Sequence, residues 1–203
     1  MKKKSHISLA GYLLCNSGVE ELQEHRKAFY LGSILPDCVP SFLTRKHRID
    51  TTFEILKKEI RKITEDFQPE KGMNGYYCRH LGVITHYLAD YFTYPHNTVF
   101  EGGLREHCAY ENRLKDAIQE YVQGQEASSL AKSIREKNGS FRSVDEICEF
   151  IKQMHENYLK VIKAVREDCR YIVELCFRVV DAILQLFEWK SESRRAGVGL
   201  PVA

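Results

Sequence analysis

Apolar residues recur along most of this chain at three- and four-residue steps, and no convincing strand-like alternation competes with them. The last third is the most regular. From Ile147 through Ile151, Met154 and Tyr158, and again from Val165 through Cys169, Ile172, Cys176, Val179, Ile183 and Phe187, an apolar stripe follows the helical period. Ser143-x-x-Glu146 ahead of it resembles a capping box. At the other end, Ser5 can cap a first helix with Ile7, Ala10 and Leu14 on one side. A second helix is predicted over 19–31, stopping before Pro36 because proline disfavours helical geometry in the residue before it. Residues 34–40 read as a loop, and a helix over 51–65 follows. Pro69, Gly72 and Gly75 break the chain again; 76–94 reads as a helix that ends at Pro95, and 104–123 as another after Gly102 and Gly103. The expectation is an all-α helical bundle, a single domain over 1–189, with the charged, Gly- and Pro-containing stretch 190–203 as a flexible tail.

Composition agrees with a globular chain of ordinary make-up: 203 residues, 43% hydrophobic and 29% charged. A formal net charge of +2 and the lack of an aromatic-plus-basic stacking surface argue against long nucleic acid as a partner. The first fifteen residues superficially imitate a signal peptide, but the apolar stretch is short, carries His6 and lacks a small-residue cleavage pattern. The most apolar run, 171–187, is interrupted by Glu174, Arg178 and Asp181, so no transmembrane segment is expected. The chain reads as cytoplasmic. Seven scattered cysteines without any Cys-x-x-Cys read as reduced thiols acting as small buried hydrophobes.

Eight histidines carry the candidate chemistry. His86-Tyr-Leu-Ala-Asp90 and His107-Cys-Ala-Tyr-Glu111 each place an imidazole and a carboxylate four residues apart, on one face of a helix. Eight histidines would meet roughly one acid at that spacing by chance and meet two, so spacing alone is weak. Gly82, Val83 and Ala89 share the face of His86 and Asp90, which suggests that it points inward with room for close approach. A carboxylate taken out of water is costly unless paired or bound to metal. A buried His–Asp hydrogen bond would satisfy one such pair without an ion. Two pairs flanking a loop histidine, His96, favour nitrogen and oxygen ligands of the kind zinc takes.

In order along the chain, these residues resemble the zinc-dependent phospholipase C family and, more distantly, the single-strand-specific zinc nucleases. Ser5-His6-Ile-Ser-Leu-Ala resembles the histidine-bearing first helix, Gly32-Ser-Ile-Leu-Pro-Asp37 the loop with a metal aspartate, and His47 falls where the next histidine is expected. His86-x-x-x-Asp90, Pro95-His96 and His107-x-x-x-Glu111 complete the set. The resemblance implies an all-helical bundle with zinc, two or three ions, in a cleft. Asp37, His47, His86 and Asp90 would hold the first, His96, His107 and Glu111 the second, and His6 with Asp90 as a bridge the third. Secreted members complete the third site with the amine of a processed N-terminal tryptophan. Residue 1 here is Met and the only tryptophan is Trp189, so the third site is expected to be empty, weaker or completed by another ligand. His25, His80 and His155 match no part of the pattern.

The resemblance further implies hydrolysis of a phosphate ester, phospholipid included, by metal-activated water, with Asp37 as the candidate for orienting or deprotonating that water. Nuclease or small-molecule phosphatase action on the same site, and a non-catalytic helical metal-binding protein, are the alternatives. Tyr87, Tyr91, Phe92 and Tyr110, near the site in sequence, read as core.

Overall fold

A computed structural model describes residues 1–38, 47–136, 141–161 and 163–196. Among them are nine α-helices and no strand: α1 Lys3–Ser17, α2 Glu20–Glu24, α3 Arg26–Ile34, α4 Ile49–Glu65, α5 Gly75–Tyr91, α6 Leu104–Gln123, α7 Gln125–Glu136, α8 Val144–Lys160 and α9 Val165–Arg195. Short 3₁₀ turns at Leu35–Asp37, Pro69–Lys71 and Tyr94–His96 each carry a proline where a helix cannot continue. No helix of the described residues is long and apolar enough to cross a membrane.

The bundle is all-α, as the apolar periodicity predicts, and most boundaries fall within a few residues of expectation. Four places differ. The second helix is split at His25, whose φ of −98° and ψ of 21° leave the helical region, so α2 and α3 are separate. Ser5 lies inside α1 rather than at its cap, and Ile7 is 43% exposed while Leu9, Leu13 and Leu14 face the core. α7 has no counterpart in the pattern-based reading, because it buries only Ala127 and Ala131, side chains too small to mark a stripe. The last helix continues to Arg195, past the start of the expected tail, with Lys190 Nζ donating to the Thr64 and Glu65 carbonyls. Residues 197–203 of that tail, with Val39, Pro40 and Ile162, lie outside the described residues.

α5 is the centre of the bundle. From Leu81 to Tyr91 every residue is buried, the mark of a helix enclosed on all sides. The Asn74 side chain caps its start, accepting from Tyr76 N at 2.9 Å. The long α9 packs against α1, α4, α5, α6, α7 and α8 and closes the core. α3 crosses α5 most intimately, and two glycines make that possible. A Cβ on Gly32 would fall 1.9 Å from the Arg79 carbonyl oxygen, and one on Gly82 would fall 2.3 Å from the Phe29 oxygen and 2.7 Å from Ser33 N. Backbone therefore meets backbone here.

On helix propensity alone, Gly82→Ala should stabilise α5 by about 1 kcal/mol. Because its methyl group would strike α3 backbone, the expected outcome is a loss of about 1–3 kcal/mol, as for other overpacked cores. Denaturant unfolding measures it, and a variant as stable as the parent would contradict the close approach.

Candidate metal centre

α5 carries His86 and Asp90 one turn apart, and the α3–α5 contact fixes the first of them. His86 Nδ1 lies 2.9 Å from the Ser33 carbonyl oxygen, which can only accept, so Nδ1 holds the hydrogen and Nε2 presents its lone pair. That Nε2 lies 3.0 Å from His47 Nδ1, 3.3 Å from Asp90 Oδ2 and 3.7 Å from Asp37 Oδ1. His47 Nδ1 is in turn 2.9 Å from Asp90 Oδ2 and 4.0 Å from Asp37 Oδ1. Asp37 reaches the group because it ends the proline-containing turn that follows α3.

A second group forms beside it. His96 projects from the Tyr94–His96 turn, and His107 and Glu111 share a face of α6. Glu111 Oε1 stands 3.2 Å from His96 Nε2 and 3.3 Å from His107 Nε2, and the two imidazoles stack with centroids 5.3 Å apart. Asp90 faces both groups. Its Oδ2 belongs to the first, while Oδ1 lies 3.6 Å from His96 Nδ1 and 3.5 Å from His6 Nε2. His6 comes from α1 and stacks on His86, centroids 4.0 Å apart. Its ligand atoms also gather with those of Asp37 and His86, a neighbourhood wider than the Asp90 contact expected from the sequence.

The α-amino group of Met1 is buried in the same place, 2.5 Å from Asp90 Oδ1, 3.3 Å from Glu111 Oε1 and 3.4 Å from His96 Nε2. Lys2 Nζ donates to Asn112 on α6 and fastens this end of the chain beside Glu111. The Met1 amine thus lies beside Asp90, at the site whose remaining ligand the lack of an N-terminal tryptophan leaves open. Burial works to lower its pKa, and the Asp90 and Glu111 carboxylates hold it above its ordinary value. Burial works to raise the Asp90 carboxyl, and the Met1 ammonium, His96 and His86 hold it well below the usual range. Glu111 is likewise drawn down to about 2 against its burial by the His96 bond and the Met1 ammonium. Burial and the neighbouring His86 push His6 down to about 3, and burial lowers His96. Against its burial, Asp90 and Asp37 hold His47 above its ordinary value. Asp90 and Glu111 are thus ionised and His6 neutral at pH 7, as ligands of a metal are, while His47 would give up its proton to a bound ion.

The donor set fits zinc. Ligands about 2.0–2.1 Å from a tetrahedral ion stand about 3.3 Å from one another. His47, His86 and Asp90, and separately His96, His107 and Glu111, bring their ligand atoms together within 4.8 Å. Neither ring nitrogen of His6 has a hydrogen-bond partner, although both are buried. A polar group so placed costs free energy unless something binds it. The family model for zinc-dependent phospholipase C matches residues 5–165, a span that takes in all eight of these side chains. The chain belongs to the zinc-dependent phospholipase C family. Comparison with curated proteins and with solved structures finds no match. Membership supports a zinc-dependent enzyme acting on phosphoesters, and the His/Asp/Glu groups could hold metal ions.

A cleft of about 460 Å³ adjoins the site, lined by His47, Arg48, His96, Phe100, Leu104 and His107 among others. Arg48, Phe100 and Leu104 were not singled out by the sequence pattern, which marks ligands and not the walls around them. Outside the site, His80 pairs with Glu59 at 2.6 Å, and His25 sits at the α2–α3 junction. His155, in a stretch that reads as exposed, is buried against Phe92 and donates through Nε2 to Asn97 Oδ1 at 2.7 Å. The aromatic residues Tyr87, Tyr91, Phe92 and Tyr110 are core. Of the free cysteines, Cys78, Cys148, Cys169 and Cys176 are buried as expected, whereas Cys15, Cys38 and Cys108 are exposed.

Asp90→Asn keeps the side-chain shape and removes the charge that both groups share, so it should lower the zinc retained by purified protein. His25→Ala should leave it unchanged. Elemental analysis of both variants decides the matter, and equal losses would trace the effect to unfolding rather than ligation.

Proposed function

We propose that this chain hydrolyses a phosphodiester bond of a phospholipid, with two or three zinc ions held by His6, Asp37, His47, His86, Asp90, His96, His107 and Glu111. The observation that supports this best is that the two groups of ligand atoms share Asp90 and border a single cleft. Bound zinc would act there as a Lewis acid and bring the pKa of a bound water from 15.7 to about 7.

The chain's own residues divide the remaining work. Asp90 is 1% exposed and committed to the ligand atoms around it, whereas Asp37 is 24% exposed and open to water. That exposure supports Asp37 as the carboxylate that orients the attacking water and takes its proton. Arg48, also in the cleft, presents a guanidinium whose paired N–H groups match phosphoryl oxygens; in this structure it pairs with Asp50 at 2.9 Å. Phe100 and Leu104 also line the cleft, and Leu104 is 81% exposed. An apolar rim around a polar floor suits a lipid, whose phosphate lies beside hydrocarbon, better than a polynucleotide.

Zinc-supplemented protein should release diacylglycerol from phosphatidylcholine vesicles, lose the activity to a chelator and regain it with zinc. Asp37→Asn should keep the zinc held by the remaining ligands and hydrolyse at least a hundredfold more slowly, the scale of general-base loss. Zinc-loaded protein that cleaves neither vesicles nor a soluble phosphodiester would leave only a metal-binding role, and cleavage of single-stranded DNA alone would assign the site to nuclease action. Leu104→Gln should slow hydrolysis of vesicles up to about tenfold, the worth of burying one leucine, without changing hydrolysis of a soluble phosphodiester. Equal rates on vesicles would remove the rim from the substrate's path.

A further inference from the structure

Asp168 is a wholly buried carboxylate that no part of the zinc chemistry uses. It lies in the first turn of α9, beyond the residues that the family model matches. Its Oδ2 accepts from Tyr94 N at 2.8 Å and from Tyr110 Oη at 2.9 Å, and its Oδ1 accepts from Tyr158 Oη at 2.7 Å. Tyr94 opens the turn that carries His96, two residues on, and Tyr110 immediately precedes Glu111. One oxygen thus grips both elements that supply the second group of ligand atoms. The rings of Tyr94 and Tyr110 also meet edge to face, centroids 5.7 Å apart.

A carboxylate in this setting is costly. Burial pushes its pKa up to about 6 even against three donors. Replacing it by an apolar residue of similar size would spare that cost but leave Tyr94 N and two hydroxyls without acceptors in the core. Within the turn, His96 N and Asn97 N donate to the Thr93 and Tyr94 carbonyls, and Asp168 ties its first N–H to α9.

We infer that Asp168 is a positioning residue, which fixes the His96 turn against the His107 and Glu111 face of α6 so that the second zinc site is preformed. The inference rests on the zinc reading above. Hydrogen-bonding partners behind metal ligands typically contribute 10–100-fold to metal affinity, and one acting through a neighbouring residue belongs at the low end. Tyr158 reaches the same carboxylate from α8, which carries no ligand, and so separates positioning from stability.

The test is a chelator competition titration of purified protein loaded with zinc, repeated with Co²⁺, whose visible absorption reports the coordination of each site. Tyr110→Phe and Asp168→Asn should weaken one bound equivalent about tenfold and shift its cobalt band, leaving the other equivalent as it was. Tyr158→Phe should lower the melting temperature and change neither equivalent. Should Asp168→Asn fail to fold, Tyr110→Phe, which removes a single oxygen, decides alone. Wild-type affinity and spectrum in the variants that fold would overturn the inference while leaving the zinc reading intact. Wild-type protein that binds no metal would sink both, and shows itself before any variant is made.

Discussion

Asp90 puts a carboxylate in the last turn of the most enclosed helix in the bundle, where removing an ion from water costs several kcal/mol even after relaxation. Everything around it offsets that cost. His6 arrives from α1, His47 from the segment before α4, His86 from the preceding turn of α5, His96 from the turn after it, and the Met1 amine from the start of the chain. Five nitrogens from five places are more than a single carboxylate can pair with good geometry. Imidazole nitrogens that face one another at 3.0 Å, such as those of His47 and His86, cannot both carry hydrogens. Such crowding is out of place for a hydrogen-bonded core and suits a set of lone pairs directed at cations.

The crowding depends on backbone more than on side chains. His86 can lend its Nε2 to the site only because its Nδ1 is held by the Ser33 carbonyl, and that carbonyl is within reach only because Gly32 and Gly82 let α3 and α5 touch. The same approach delivers Asp37, four residues beyond Ser33. Helix packing, tautomer and ligand supply are therefore one constraint, and a methyl group at either glycine would disturb all three.

This division explains what could be read in the sequence. Pairs four apart on a helix, such as His86 with Asp90 and His107 with Glu111, are legible because periodicity alone places them together. Their association with His6, Asp37, His47 and His96 is a matter of tertiary folding, and only the ordered likeness to a family made it foreseeable. Helices marked by broad apolar stripes were equally legible. α7 was not, since two alanines suffice to bury it against Tyr12, whose hydroxyl donates to the Ala127 carbonyl at 2.8 Å. His155 and Asp168 were missed for a related reason. A polar residue that a fold buries and satisfies looks, in sequence, like one left in water, and nothing but its partners tells the two apart.

The two groups of ligand atoms are also unequal in a way that bears on how they would work. His86 and Asp90 are almost wholly buried, and their positions are set by a helix packed on every side. His96, His107 and Glu111 keep 13%, 29% and 14% of their side-chain surface exposed, and one of them rides on a three-residue turn. Rigid burial favours tight and permanent coordination, while exposure to the cleft leaves room for a substrate oxygen to enter the coordination sphere. An exposed ligand on a short turn is held only as well as the turn is. Hydrogen bonds from outside the site, through Asp168 on one side and Asn97 with His155 on the other, give the His96 turn the stiffness that α5 has from packing. In the proposed site substrate access and ligand rigidity pull against each other, and the buried polar network behind the turn would supply the rigidity without closing the cleft.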